Sequence, residues 1–374
     1  MNVIDIAKKI IACPSVTPDD AGAQVFLADF LKQRGFEIHH LPFNEVPNLF
    51  ARIGTEGPHF CYAGHTDVVP PGPENEWTYG PFNPTIKDGI MYGRGASDMK
   101  GSVAAFTAAA AIYIEKHGAP KGSISFLITG DEEGPAIDGT VRVLEWMKAN
   151  NHVPDVALVG EPTNPKQLGD EVKIGRRGSL TGALSVKGKQ GHVAYQKLAD
   201  NPLPRLIKLL DALTSHEFDK GTEFFPPTNL EVVSINVDNK ADNVIPGAGR
   251  AKFNIRFNDT WNSETLSKKV RALLDAVSKD YELELVCGAE SFMTKPGVWS
   301  QMVSDVIKET TGRTPQLTTN GGTSDARFIH LYCPVVEFGL TNESVHQVNE
   351  FLRVDELEKL TAIYVTLLEK FFKN

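Results

Sequence analysis

Hydrophobic residues follow two different spacings along the first part of the chain. Apolar positions three and four residues apart indicate helices, whereas short apolar runs between polar or glycine-containing segments indicate strands. The pattern predicts helices at residues 25–31, 100–116 and 140–150 and strands at residues 36–41, 48–53, 59–63, 123–129 and 156–159. Strands that alternate with helices are typical of an α/β fold in which helices cover a central sheet.

The pattern changes after about residue 177. Strands at residues 180–186, 230–236 and 250–257 are interleaved with helices at residues 202–213 and 263–278, which indicates a smaller α+β domain of β-α-β-β-α-β order. From residue 298 onward a helix, a Gly321-Gly322 loop, an apolar strand at residues 334–338 and a closing helix at residues 356–372 restore the first pattern. We therefore predict one discontinuous domain, residues 1–177 and 291–374, with a second domain, residues 178–290, inserted into it.

Composition and charge narrow the range of partners. The 374 residues are 41% hydrophobic and 23% charged, with a net charge of −9. Because no stripe of lysine and arginine stands out, nucleic acid and anionic membranes are poor candidates as partners, and a small molecule is favoured. The longest apolar stretch, residues 103–114, is shorter than the roughly 20 residues that span a bilayer, so no transmembrane helix is expected.

The cysteines and the N-terminal segment bear on the compartment. Four scattered cysteines without a CxxC pair form neither a disulfide framework nor a zinc knuckle. The first residues carry Asp5, Lys8 and Lys9 among apolar positions at helical spacing, unlike the continuous apolar core of a signal peptide. We predict a cytoplasmic protein.

Polar residues capable of catalysis fall where the predicted strands end. They are His65 and Asp67 after one strand, Asp98 before a helix, Glu132 and Glu133 after another strand, Glu161 after a third, and His346 in a polar loop after the strand at residues 334–338. Ligands of open α/β sheets bind outside the carboxyl ends of the strands. We therefore expect these residues to converge on one edge of the sheet.

Each of these residues has an ordinary alternative when taken alone. His65 and Asp67 read equally as a loop histidine beside a capping aspartate, and Asp98 as a helix N-cap. The glutamates read as exposed acidic turns, and His346 as a surface histidine. Five candidate ligands at successive strand ends, however, favour a shared site.

Two histidines and three carboxylates without a thiolate suit two zinc ions. If one aspartate bridges the ions, three carboxylates against two divalent cations leave a charge of about +1, which a hydroxide balances. One of the paired glutamates Glu132 and Glu133 is then free to transfer protons. The pattern predicts a hydrolytic metal site.

The motifs that contain these residues resemble a known family. GHTDVVPPG, YGRGASDMKGS, TGDEEG, GEPT, KGKQGHVAY, NGGTSDARF and TNESVHQVNE are together similar to the co-catalytic zinc metallopeptidases that include aminoacylases, acetylornithine deacetylases and glutamate carboxypeptidases. The resemblance extends over nearly the whole chain. It implies a zinc-exopeptidase-like catalytic α/β domain with a central mixed sheet flanked by helices, and an inserted α+β, ferredoxin-like dimerisation domain.

The resemblance also implies roles for individual residues. It makes His65, Asp98 and Glu161 the ligands of one zinc ion and Asp98, Glu133 and His346 those of the other, with Glu132 as general base and acid and Asp67 as the acid that orients His65. Asp98-Met99 matches a cis peptide bond of the family. His192 matches a histidine that reaches the other subunit of a homodimer and stabilises an oxyanion. Two Zn²⁺ per subunit are implied, with Co²⁺ able to replace one of them.

The implied substrate is a small molecule. Within the family the motifs are most similar to members that hydrolyse N-succinyl-LL-2,6-diaminopimelate; hydrolysis of N-acetylornithine or of another N-acyl amino acid is the alternative. The positions that match substrate contacts are Lys173, Arg176, Tyr195, Asn243, Arg256, Gly322, Thr323, Ser324 and Asn342. A non-catalytic protein of this fold would be expected to have lost part of the site, yet all five ligands and the base are present.

Overall fold

The structure, a computed structural model, describes residues 1–373 and divides into two compact units. Unit 1 comprises residues 1–174, 294–318 and 324–373, and unit 2 comprises Gly175–Met293 and Thr319–Thr323. The insertion predicted at residues 178–290 lies inside the longer segment of unit 2. The return of the chain to unit 2 at Thr319–Thr323 has no signal in the hydrophobic pattern.

The elements follow one another in three segments of the chain. The first contains α1 (Val3–Ile11), α2 (Ala23–Lys32), β1 (Glu37–His40), β2 (Leu49–Ile53), β3 (His59–His65), β4 (Thr85–Lys87), β5 (Ile90–Tyr92), α3 (Gly101–His117), β6 (Ser123–Thr129), α4 (Thr140–Ala149), β7 (Val156–Val159) and β8 (Glu171–Lys173). The second contains β9 (Gly175–Arg176), β10 (Gly178–Lys187), β11 (Gly191–His192), α5 (Leu203–Thr214), β12 (Asn229–Asn236), β13 (Val244–Ile245), β14 (Ala248–Phe257), α6 (Ser263–Asp275), β15 (Glu282–Ala289) and β16 (Phe292–Met293). The third contains α7 (Val298–Thr311), β17 (Gln316–Thr318), α8 (Ala326–Ile329), β18 (Val335–Glu337), β19 (Phe351–Arg353) and α9 (Val354–Phe371). Among residues 1–373, no helix has both the length and the apolar character needed to cross a membrane.

Unit 1 is organised around an eight-stranded mixed sheet of order β1-β2-β6-β3-β7-β18-β8-β17. The four central strands β6, β3, β7 and β18 run parallel to one another. β3 and β6 are buried at every position, as expected for strands that are covered on both faces. Helices α1, α3, α7 and α9 pack around the sheet core, which confirms the predicted α/β fold.

Unit 2 contains a four-stranded antiparallel sheet of order β12-β14-β10-β15. Burial alternates along β10, because one face of the sheet carries α5 and α6. The core between sheet and helices includes Leu180, Leu184, Leu209, Phe253 and Val270. The β-α-β-β-α-β order is confirmed, and the fourth strand, which the sequence pattern implies without locating, is β15.

Candidate metal centre

The register of three parallel strands brings the predicted ligands of unit 1 together. His65 is the last residue of β3 and lies opposite Thr129, the last residue of β6, while Ala63 lies opposite Val159, the last residue of β7. The loops after β6 and β7 therefore begin beside His65, and these loops carry Glu132, Glu133 and Glu161.

The chain approaches Glu161 through a glycine for a steric reason. Gly160 lies beside the buried ring of Tyr62, and a Cβ at this position would collide with the tyrosine hydroxyl. A larger residue would displace the start of the loop, so the glycine of the GEPT motif is required by packing.

Asp98 lies between the two histidines. Its Oδ1 is 3.3 Å from Nε2 of His65, and its Oδ2 is 3.3 Å from Nε2 of His346. Asp98 and Met99 have non-helical backbone angles in the turn Ala96–Lys100, which leads into α3, and the Asp98-Met99 peptide bond is cis, as the resemblance implies. The second histidine also contacts Glu133, with Nε2 of His346 2.9 Å from Oε1.

Two groups of donor atoms are close enough to hold metal ions. One donor atom from each of His65, Asp98 and Glu133 lies within 4.8 Å of the other two, and the same holds for His65, Glu132 and Glu161. These two groups contain the predicted base and four of the five predicted ligands, and His346 joins them through its contacts with Asp98 and Glu133. Glu132 shares a group with Glu161, so distance by itself does not separate the base from a ligand.

The cluster concentrates negative charge in a buried place. Burial raises the pKa of Glu161 and of Glu132 well above the usual range, and the neighbouring acids, among them Asp98, raise both further. Burial also acts to raise the pKa of Asp98, but close contact with His346 and His65 outweighs it and lowers that pKa. Hydrogen bonds to Asp98 and to Glu133 raise the pKa of His346 to about 10.

The donor set fits divalent cations. Within residues 1–373, the buried atoms Nε2 of His65 and Oδ1 of Asp98 face each other at 3.3 Å, but neither makes a hydrogen bond of good geometry, although buried polar atoms are normally paired in this way. Imidazole nitrogen with carboxylate oxygen, and no thiolate, is a ligand set that zinc accepts. Two divalent cations would offset the charge of the acids and give these two buried atoms their partners.

Asp67 contacts both His65 and the loop that carries Glu132 and Glu133. Nδ1 of His65 lies 2.9 Å from the backbone oxygen of Asp67 and 3.6 Å from its Oδ1. The carboxylate accepts hydrogen bonds from the backbone N–H of Glu133 at 3.0 Å and of Glu132 at 3.4 Å. The backbone carbonyl of Asp67 thus accepts the hydrogen bond from His65, whereas its carboxylate mainly fixes the loop after β6. The sequence motif does not reveal these separate roles.

Three of the predicted substrate-contacting residues belong to unit 1. Lys173 is buried in β8, with Nζ 3.0 Å from Oε2 of Glu171. Ser324 is fully buried and donates to Oε1 of Glu337 at 2.7 Å. Asn342 is exposed. The charge of Lys173 is therefore already paired, which the motif does not show.

The remaining predicted contacts belong to unit 2 and form two groups. His192 lies opposite Val244 in the β11–β13 pair, the N–H of Val193 donates to the carbonyl of Asn243 at 3.0 Å, and the rings of His192 and Tyr195 are 5.5 Å apart. This first group is exposed. The second group is formed by Arg176, whose Nη1 donates to the carbonyl of Gly322 at 3.1 Å, with Thr323 adjacent to Gly322 in the chain. Arg256, in β14, is half-buried.

Three buried residues at the centre are absent from the predicted site. The charge of Asp325 adds to the effect of burial and raises the pKa of Glu132 further. Arg94 and Glu350 form hydrogen bonds with the backbone around Asp98 and His346. All three lie inside the motifs quoted above. Their chemistry gave no signal, because a charged residue within a motif reads as a surface residue until its burial is known.

The chain matches one family of hydrolases over most of its length. The profile of peptidase family M20/M25/M40 covers residues 61–370. The chain belongs to this family. The matched segment includes His65, Asp98 and His346, so the M20 profile contains the whole candidate metal centre.

Curated relatives of this M20 chain are similar over almost their full length. It is 54% identical to the succinyl-diaminopimelate desuccinylase of Rhodospirillum centenum over 374 residues, which covers 99% of this chain and 97% of that protein. It is 51% identical to the succinyl-diaminopimelate desuccinylase of Xanthobacter autotrophicus over 375 residues, which covers 99% of each chain.

Solved M20 structures share the fold at low identity. The metallo-carboxypeptidase Sso-CP2 from Sulfolobus solfataricus superposes with a TM-score of 0.80 at 17% identity and covers 100% of both chains. The YXEP protein of Bacillus subtilis, described as a dinuclear metal-binding peptidase, has a TM-score of 0.74 at 14% identity and covers 99% of this chain and 98% of its own. These similarities confirm the fold class.

Proposed function

We propose that this chain hydrolyses the amide bond of N-succinyl-LL-2,6-diaminopimelate to succinate and LL-2,6-diaminopimelate, a step in lysine and diaminopimelate biosynthesis. The assignment of this substrate rests on sequence identities of 54% and 51%, over nearly the full chain, to two relatives named for this activity. The placement of Asp98 between His65 and His346 supports hydrolysis at a two-metal site.

The residues that would hold the metal ions are those that the family resemblance implies, and all of them lie in or beside the cluster. His65, Asp98 and Glu161 would hold one Zn²⁺, and Asp98, Glu133 and His346 the other, with Co²⁺ able to replace one of them. When bound, such ions supply Lewis acidity for an amide carbonyl and lower the pKa of water. Asp98 faces both histidines through different oxygens, which is what a bridging carboxylate requires.

The chain's own residues move and orient the reacting groups. Glu132 accepts a proton from the attacking water and returns it to the leaving amine, which is the role that the family resemblance implies for it, and its carboxylate lies beside Glu161 and His65. Asp67 holds the loop of Glu132 and the ring of His65 in place. His192 donates a hydrogen bond to the oxyanion of the substrate from the other subunit of a homodimer.

Recognition of the succinyl group requires a second carboxylate site. A fixed cation with hydrogen-bond donors favours a succinyl over an acetyl group. Lys173, which is paired with Glu171, and Arg176, which lies beside Gly322, are the cations that we assign to this contact. Tyr195, Asn243, Arg256, Thr323, Ser324 and Asn342 complete the proposed substrate contacts. The homodimer and a cytoplasmic location belong to the same proposal.

The test compares two substrates on one preparation. The zinc-loaded protein is given N-succinyl-LL-2,6-diaminopimelate and N-acetylornithine side by side, and the same protein treated with a chelator serves as control. Release of succinate that depends on metal, with little release of acetate, is the expected result. Preference for the acetyl compound would replace the substrate and keep the hydrolysis, whereas turnover that survives metal removal would contradict the two-metal mechanism.

A further inference from the structure

Two buried charged residues outside the predicted ligand set lie between two predicted ligands. Arg94 precedes Asp98 in the YGRGASD motif, and Glu350 follows His346 in the VHQVNE motif. Their side chains are 2% and 0% exposed, and Nη1 of Arg94 donates to Oε2 of Glu350 at 2.8 Å. Because burying two charges costs free energy even when they are paired, the further hydrogen bonds of the pair indicate what it holds in place.

Glu350 holds the loop that carries Asp98. Its Oε1 accepts hydrogen bonds from the backbone N–H of Ser97 at 2.9 Å and of Asp98 at 3.0 Å. Its Oε2 accepts from the backbone N–H of Gly95 at 2.8 Å as well as from Arg94. One carboxylate thus uses both oxygens to fix three backbone amides of a single turn, and the last of them belongs to a predicted ligand.

Arg94 holds the loop that carries His346. Its Nη2 donates to the carbonyl of His346 and to the carbonyl of Pro70, each at 3.4 Å, and its Nη1 also donates to the carbonyl of Gln347 at 3.3 Å. His346 has a φ of 61°, in the left-handed region that non-glycine residues enter at a cost. The planar guanidinium, with several N–H groups at fixed angles, can hold such a backbone from one side.

We propose that the Arg94–Glu350 pair positions Asp98 and His346 relative to each other and thereby sets the metal affinity of the site. Its hydrogen bonds to these two ligands go to backbone atoms, so both members are positioning residues. The pair joins two loops that are distant in the chain, and where these loops meet, Oδ2 of Asp98 lies 3.3 Å from Nε2 of His346. The proposal rests on the metal site of the proposed function.

The affinity of a metal site depends on how closely its ligands are held in the required geometry. Replacement of residues that orient metal ligands typically lowers metal affinity 10–100-fold. A purely structural pair would lower the thermal stability of the protein but would leave the affinity of the folded protein for zinc unchanged. Zinc affinity therefore separates positioning from simple stabilisation.

The test uses the full chain with Glu350→Gln. Glutamine keeps the volume and one acceptor oxygen, but loses the charge and the second acceptor that holds Gly95 and Arg94. We expect one of the two zinc-binding steps, measured by competition with a chelator at a temperature where the variant is folded, to weaken 10–100-fold. With saturating zinc, kcat should remain reduced while KM changes less than threefold.

A matched control lies in the same part of the chain. Arg353 and Glu343 form a partly exposed ion pair at 3.0 Å, and Glu343→Gln should leave zinc affinity and kcat unchanged. Arg94→Lys is the second test variant, because lysine keeps a cation beside Glu350 but lacks the planar fork that reaches His346 and Gln347. It should also weaken zinc binding.

Several outcomes would overturn the proposal. Parental zinc affinity in folded Glu350→Gln would do so, and if that variant does not fold, the same result in Arg94→Lys would decide. If neither variant folds, the pair is a requirement of the fold and its assignment as a positioning device is wrong. A parent chain that binds no zinc would instead overturn the proposed function, so the two failures are distinguishable.

Discussion

The metal-binding cluster of unit 1 and the group around His192 in unit 2 differ in how deeply most of their residues are buried. In unit 1, His65, Asp98 and Glu161 are at most 9% exposed, whereas the side chain of His346 is 48% exposed. The register of parallel strands fixes where the loops of His65 and Glu161 begin. In unit 2, His192 is exposed and Tyr195 is 63% exposed, on a two-residue strand and the turn that follows it. A buried cluster takes its geometry from the fold around it. The exposed group of His192 and Tyr195 is held by few contacts within the chain, so its role depends on what binds to it.

The largest expected effect tests the buried cluster. Glu132→Gln keeps the size of the side chain but removes the carboxylate that transfers the proton, so we expect kcat to fall about 10³-fold, which corresponds to about 4 kcal/mol. Zinc content should stay at the parental value, because the five predicted ligands remain. Succinate release and metal analysis on the same sample measure both.

Glu145→Gln is the matched control for this variant. Glu145 lies on α4 in an exposed ion pair with Arg142, and its replacement should leave kcat unchanged. A Glu132→Gln protein that keeps near-parental turnover would contradict the role of the base. A protein that loses zinc together with activity would make Glu132 a ligand, which its distance to Glu161 and His65 also permits.

The contrast between the units explains what the sequence could predict. His65, Glu132, Glu133 and Glu161 follow apolar strands, and because the ends of parallel strands meet at one edge, their proximity follows from the pattern. His346 lies in a loop with a φ of 61°, a conformation that no spacing rule gives. The pattern places His346 in a polar loop after the strand at residues 334–338, and the motif adds its role as a ligand.

Burial is the property that the sequence pattern conveyed least. Lys173 reads as a free cation for a substrate carboxylate, but it is buried and paired with Glu171. Arg94 and Glu350 read as surface charges and are among the most buried charged residues of the chain. Long-range pairing decides whether a charge can be buried, and one sequence does not reveal which distant residue provides the partner.

The second prediction tests the exposed cluster of unit 2. His192→Ala should lower kcat about 100-fold, because one oxyanion donor is lost. It should leave zinc content and the melting temperature unchanged, since an exposed side chain contributes little to packing. His216→Ala, a second histidine of unit 2, is the control and should keep the parental rate. A rate within twofold of the parent for His192→Ala would remove this residue from the mechanism.

The third prediction concerns how unit 2 is stabilised. Asp219 accepts hydrogen bonds from Asn258 Nδ2 at 2.6 Å, Gly221 N–H at 2.8 Å, Trp261 Nε1 at 2.8 Å and Thr228 N–H at 3.1 Å. Asp219→Ala leaves these donors without their acceptor and should destabilise unit 2 by about 2.5 kcal/mol. Hydrogen exchange, measured on amides of each unit, should show faster exchange in unit 2 and an unchanged zinc content. Equal acceleration in both units would show that they unfold together.

The smallest expected effect is a loss of stability at low pH that His59 of unit 1 causes. His59 is 4% exposed in β3, with Nε2 2.7 Å from Oγ of Ser125, and burial together with the charge of Arg52 lowers its pKa to about 4. The unfolded chain, with a histidine pKa near 6.5, binds the proton first as the pH falls. Stability is therefore lost below about pH 6.5, and His59 should cost about 2 kcal/mol at pH 5 relative to pH 8.

Comparison with His59→Gln isolates this contribution, because every other group titrates in both proteins. The variant should be less stable than the parent at pH 8, and the gap in unfolding free energy should shrink by about 2 kcal/mol at pH 5. His40→Gln, at an exposed position, should keep a constant gap. In unit 2, hydrogen bonds lower the pKa of Asp219 despite its partial burial. Its contribution is therefore present above the pKa of an unfolded aspartate and is lost only in stronger acid. A gap that does not change with pH would show that His59 is not held neutral, and the difference in acid sensitivity between the two units would then need another source.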